Sequence, residues 1–262
     1  MKIVKINPCL RSLMALIGIS LLQCCAPLTI SRPSPPFDSK EIADIVFAIR
    51  EQDSAVRTLF SSGRLTFLGQ ASESDATILI VGTRDPSRIK IEITHPWGRP
   101  LLHILVDGPR IDILSFSEKR LYYGRLGSLG LSSLLPVRLD LSHLWILARC
   151  YPGLKGYDRA ISLKGGQITL LSETGEKTEV IDLIPGSLLP RMVSFPEQNT
   201  RVRFSDFEDD DGILYAREMR LIDPEDETRV VLDIRRMVFN NPVPEEIFKL
   251  VIPADFEAVH LQ

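Results

Sequence analysis

Two adjacent cysteines, four histidines and one acidic run are the groups in this chain whose types and spacing could do chemistry. Cys24 and Cys25 close an N-terminal segment with a basic head (Lys2, Lys5, Arg11), an apolar run from Leu13 to Leu22 and no acid before Asp38. A helix needs about 20 residues to cross a bilayer core of roughly 30 Å, and this run is shorter. The pattern is that of a secretory signal peptide, residues 1–24, and a cysteine at its end is the acyl acceptor of a lipoprotein. Leu22-Gln23-Cys24-Cys25 makes Cys25 the modified residue, with Cys24 as the small residue before the cut. Leu21-Leu22-Gln23-Cys24 makes it Cys24, and an ordinary cleaved signal or an uncleaved anchor is the remaining reading. The histidines (His95, His103, His143, His260) show no zinc spacing such as H-E-x-x-H. Gly130-Leu131-Ser132-Ser133-Leu134 misses the G-x-S-x-G elbow, and the glycines from Gly124 to Gly130 form no dinucleotide fingerprint. Glu208-Asp209-Asp210-Asp211-Gly212 lacks the ligand spacing of a calcium loop and reads as a solvated hairpin tip. Cys9 and Cys150 add neither a disulfide framework nor a metal spacing. The expectation is a protein without catalytic residues, cofactor or metal.

The charge balance excludes a further class. Removal of residues 1–24 moves the formal net charge from −3 to −6 (31 less 3 basic residues against 34 acidic). An acidic chain of this kind is a poor partner for nucleic acid.

The elements that hold these groups alternate in period. Residues 25–37 are a Pro-rich tether, and 38–262 carry no second linker and no repeat, so they read as one domain. Asp38 and Glu41 form a capping box for a helix whose apolar positions (Ile42, Ile45, Val46, Ile49, Val56, Leu59, Phe60) run at helical spacing to a stop at Ser61-Ser62-Gly63. This helix either packs on a sheet or lies on a membrane. Strands are predicted at 64–68, 76–83, 88–94, 100–106, 110–116 and 120–125, and again at 160–163, 167–172, 178–183, 190–195, 200–206, 214–222 and 229–238. Their short links make antiparallel meanders. Between the two blocks, Leu126–Gly153 is apolar, broken by Gly and Ser, and ends in a short helix around Leu141–Ala148. It serves as a core plug or as a lid over a cavity.

The hairpin at 88–106 is the most informative. Ile89, Ile91 and Ile93 alternate with Lys90, Glu92 and Thr94, while the return strand is apolar on both faces, with His103 on the less buried one. The turn His95-Pro96-Trp97-Gly98-Arg99-Pro100 puts Trp97 at the tip, far from any core.

Two segments carry a family likeness: I-T-H-P-W-G-R-P-L-L (93–102) and L-S-H-L-W-I-L-A-R-C-Y-P-G (141–153). With the lipobox, they resemble the LolA/LolB superfamily of lipoprotein carriers, and within it the outer-membrane lipoprotein receptors, LolB. The second match has extra residues between Trp145 and Pro152. The ending 239–257, with Phe248 on a short helix, is similar to other members of the superfamily. The resemblance implies an α+β fold: a strongly curved antiparallel sheet forming an open half-barrel of about 11–12 strands, with helices covering the open side. It implies a hollow for acyl chains, with Ile78, Ile80, Ile91, Ile93, Leu102, Ile104, Val106, Leu144 and Trp145 as inward candidates, and Trp97 as a membrane-contacting tip. Lipid acyl chains or lipoproteins, a periplasmic lipoprotein carrier and the outer membrane, reached through an N-terminal lipid anchor with the domain facing the periplasm, are the implied partners. The alternative is an envelope-complex lipoprotein whose half-barrel is filled and serves as a protein-interaction module.

Overall fold

Period-2 alternation dominates the folded chain, and the computed structural model assembles it into one sheet. The structure describes residues 35–68, 73–126, 141–222 and 229–261. The signal segment with Cys24 and Cys25, the tether up to residue 34, and the Gly/Ser-broken stretch 127–140 lie outside the described residues.

Helix α1 (Ser39–Ser54) opens with the expected box. The Asp38 carboxylate accepts from the Lys40 and Glu41 amides at 2.8 Å, and the Glu41 carboxylate accepts from the Asp38 amide at 2.8 Å. Its buried stripe is Ile42, Ile45, Val46 and Ile49. The helix ends earlier than the spacing predicts. Val56, Leu59 and Phe60 lie beyond it, and Leu59 and Phe60 already belong to β1 (Thr58–Leu68). Leu59 and Ser61 point inward from β1, so those residues satisfy a strand period as well as a helical one, and pairing on both sides decides between them. Gly63, expected as a stop, sits at a register shift inside the strand, where a Cβ would collide with the Asp233 carbonyl.

The first meander continues through β2 (Glu73–Thr83), β3 (Arg88–Thr94), β4 (Pro100–Asp107), β5 (Arg110–Ser115) and β6 (Arg120–Arg125). After α2 (Leu141–Arg149) come β7 (Arg159–Ile161), β8 (Gln167–Leu171), β9 (Lys177–Leu183), β10 (Pro190–Phe195), β11 (Thr200–Asp210), β12 (Ile213–Ile222), β13 (Arg229–Phe239) and β14 (Glu257–His260). They form a curved, unclosed sheet in the order β14-β6-β5-β4-β3-β2-β1-β13-β12-β11-β10-β9-β8-β7. The sheet has 14 strands rather than 11–12. Thirteen of them match strand segments predicted from the sequence, β7 at 160–163 included, and β14 is the addition. β14 pairs with β6 in parallel, the one parallel pairing described, and no alternation in its sequence announces it.

One face of this sheet carries a continuous apolar core, which also takes in the buried stripe of α1 and Leu144, Ile146 and Ala148 of α2. On the hairpin half, the C-terminal segment crosses from β13 to the β6 edge. Phe248, in a 3₁₀ turn (Glu245–Phe248), is buried beneath the Arg88 guanidinium at 4.5 Å. Phe256 meets Phe116 edge-on at 5.6 Å, and Phe116 meets His103 at 4.8 Å.

Candidate functional site

Strand alternation aims one row of side chains from each of five strands at a common space. β1 contributes Leu65 and Phe67, β2 Ile78 and Ile80, β3 Ile91 and Ile93, β12 Met219 and Leu221, and β13 Val230 and Leu232. Ile104 of β4 and Leu144 and Leu147 of α2 complete the lining. Register brings these residues side by side: Ile78 faces Ile93, Ile80 faces Ile91, Ile91 faces Ile104, Leu65 faces Leu232, and Leu221 faces Val230. The cavity volume is about 80 Å³, and about 650 Å³ of atom-free space is present when the open mouth is counted. Among the described residues, no polar side chain lines it. Such a wall offers no proton donor, acceptor or charge; what it can do is take an apolar body out of water, at about 0.8 kcal/mol per methylene.

Of the nine candidates read from the sequence, Ile78, Ile80, Ile91, Ile93, Ile104 and Leu144 line the cavity. Three do not. Val106 is wholly buried farther down β4, opposite Ile89 and Ile111. Leu102 is half-buried at the hairpin end of the same strand. Trp145 packs against the core but is not among the lining residues: its indole Nε1 donates to Asp53 Oδ1 at 3.0 Å, and Arg84 Nη2 donates to the same oxygen at 2.8 Å while its guanidinium lies 4.8 Å from the indole. A half-buried indole N–H needs an acceptor, and the apolar cavity has none. The residues that sequence reading missed are those of β1, β12 and β13, together with Leu147. All of the strand residues sit on strands whose alternation was visible, but their meeting depends on the β1–β13 pairing between distant parts of the chain.

The C-terminal half of α2 meets the end of α1 at Gln52 and Asp53. Arg149 is wholly buried and donates from Nη2 to the Gln52 carbonyl at 3.2 Å, between the rings of Tyr151 (5.2 Å) and Phe239 (4.6 Å). Burial pushes its pKa down to about 10, against the pull of Asp53. The Ala216 amide donates to the Cys150 carbonyl at 2.8 Å, tying the same end to β12. Leu59 pairs with Phe239, so this anchor lies where β1 begins.

The cavity lies toward the opposite end. Phe67, Leu221, Val230 and Ile93 are each one residue from the end of their strand there. Ile93 leads through Thr94 to the β3–β4 turn at that same end. In the turn, the Gly98 amide donates to the His95 carbonyl at 2.7 Å, the His95 amide donates to the Arg99 carbonyl at 2.8 Å, and Gly98 takes φ +86°. Trp97 is 90% exposed, with the His95 ring 4.4 Å from the indole. The acidic run forms a hairpin tip, where Asp209 accepts from the Gly212 amide at 2.7 Å. Among the described residues, no group of three or more His, Cys, Asp or Glu side chains is placed to hold a metal ion.

Solved structures with the same architecture are known. A LolA superfamily protein from Nitrosomonas europaea superposes with a TM-score of 0.50 at 15% identity, over 78% of this chain and 97% of that one. The fold is that of the LolA superfamily. A DUF1329 family protein from Desulfovibrio piger (TM-score 0.56, 14% identity, 80% of this chain and 96% of that one) shares it. So does a domain from Vibrio parahaemolyticus named for outer-membrane lipoprotein sorting (TM-score 0.55, 10% identity, 80% and 97%). No family model and no curated protein matches the sequence.

Proposed function

We propose that this chain is a non-enzymatic lipid-binding lipoprotein of the bacterial envelope that holds acyl chains in the apolar cavity and delivers them, or the lipoproteins that carry them, to the outer membrane. The observation that carries the reading is the cavity wall: thirteen apolar side chains from six strands and one helix, with no polar group among them. A wall of that composition left open at its mouth is costly unless an apolar guest uses it. Helices α1 and α2 cover the open side of the sheet in this reading, and Leu144 and Leu147 are the part of that cover that touches the guest. Anchoring through an acylated Cys25 or Cys24 and the Pro-rich tether would hold the domain on the periplasmic side of the membrane, within reach of a periplasmic carrier. Transfer is then a partition between apolar environments, with Trp97 entering the leaflet at the cavity's end of the sheet. An indole suits the bilayer interface.

Native mass spectrometry of the mature domain, made without its lipid anchor and purified from a Gram-negative periplasm, tests the cavity. Copurified adducts of lipid or acyl mass are expected. A clean mass that fatty acids and phospholipids leave unchanged would refute acyl binding and leave the filled, protein-binding half-barrel. A Trp97→Glu variant is expected to fold and bind lipid but to fail in transfer to vesicles.

A further inference from the structure

We infer that the β3–β4 tip is built to dock on an anionic phospholipid surface, with Arg99 as the head-group contact beside the inserted Trp97. The inference rests on the membrane-contact part of the reading above and adds the lipid class and the residue that selects it. Its basis is a charge census of the hairpin half. Between Glu73 and Arg125 the chain has eight Lys and Arg residues. Six are ion-paired: Arg84 with Asp53, Arg88 with Glu245, Lys90 with Glu92, Arg110 with Asp112, Lys119 with Asp255 and Arg120 with Glu257. Arg99 has no carboxylate partner among the described residues and is exposed. The other unpaired cation, Arg125, ends β6 opposite Arg110, at the far end of the sheet from the tip.

The turn from His95 to Pro100 contains no acid, and the nearest carboxylate in the sequence, Glu92, is engaged by Lys90 at 3.0 Å. An exposed indole with a free guanidinium two residues away is the pairing an anionic leaflet accommodates: the ring sits at the head-group boundary and the cation lies on the phosphates. His95 backs the indole, and Pro96 and Gly98 fix the turn. One aromatic and one cation are too small a patch for a stable protein interface, which buries about 1,200–2,000 Å². They suffice as an interfacial anchor for a domain already tethered nearby.

The test reconstitutes the full chain into phosphatidylcholine vesicles with brominated acyl chains, with or without about 30 mol % phosphatidylglycerol, and reads quenching of Trp97. A Trp97→Phe chain supplies the Trp145 background. A cation near such a surface shifts partition about fivefold, so the ratio of inserted to withdrawn tip should rise about fivefold with phosphatidylglycerol. Arg99→Gln should lose that rise, and Arg99→Lys should keep it. Equal quenching in both vesicles, or a full rise in Arg99→Gln, overturns the anionic selection while leaving membrane contact in place. Absence of Trp97 quenching in either vesicle overturns both.

Discussion

Enlarging the cavity should weaken the empty protein and strengthen its hold on a guest. Leu144 is 2% exposed and lines the cavity from α2. Leu144→Ala removes three carbons. In a sealed core such a change costs about 2–5 kcal/mol, and the lower end applies here because the vacated space opens onto a cavity that already exists. An acyl chain filling that space buries about three more methylene equivalents, worth about 2.4 kcal/mol, or about sixtyfold in Kd. Thermal unfolding with and without palmitate, paired with calorimetric titration, measures both terms. The variant should melt below the parent when empty, recover more of its melting temperature when palmitate is added, and bind palmitate more tightly. Leu183→Ala is the control: Leu183 is equally buried, at 2% exposed, but on β9 and outside the lining. It should lose stability without any gain in affinity. A folded Leu144→Ala protein that binds palmitate no better than the parent would mean that the chain sits elsewhere, and the cavity argument would fall.

Arg149→Met should melt at or above the parent temperature. It removes a buried charge that makes one hydrogen bond and leaves Nε and Nη1 without partners, whereas a loss of several kcal/mol would show that the guanidinium holds α2 in place. His103 has its pKa lowered, chiefly by burial, so the unfolded chain takes up its proton more readily than the folded one. Stability should therefore be full above the ordinary value of 6.5 and fall as pH drops below it; denaturant titrations at several pH values should show that slope reduced in His103→Leu. Burial pushes the Cys150 thiol up to about 12 from an ordinary 9.0, which makes its thiolate about a thousandfold rarer at neutral to mildly alkaline pH. Peptide mapping after iodoacetamide treatment of the folded protein should find Cys150 unmodified, and rapid labelling would show that this end of α2 opens.

What the sequence made legible was local. Ile89-Lys90-Ile91-Glu92-Ile93 announces its strand and its inward face because the alternation lies within one segment, and Asp38 with Glu41 announces the start of α1 for the same reason. Leu59 and Phe60 misled because both periods fit them, and only the neighbours on either side of β1 decide between helix and strand. Trp145 misled because an aromatic on an apolar helix face reads as cavity lining, while its N–H was answering to a carboxylate 92 residues away in the chain. Met219, Leu221, Val230 and Leu232 were visible as strand residues but not as site residues, since nothing local says that β13 will lie beside β1. The parallel β14 left no pattern at all, for its four residues are mostly exposed and are held by pairing with β6.

That β1–β13 pairing also sets an order of events. β1 and β2 are separated by four positions of chain, but Leu59 meets Phe239 across 180. Closing so long a loop is slow relative to the meanders on either side, which can zip strand by strand. As the chain folds, the first six strands would be assembled with one side of β1 bare until the thirteenth arrives. The cavity straddles that seam, with Leu65 and Phe67 on one side and Val230 and Leu232 on the other. A chain still waiting for its last long strand has half a wall and nowhere to put a guest. Capacity to bind would therefore appear in a single late step, which ties loading to the completion of folding.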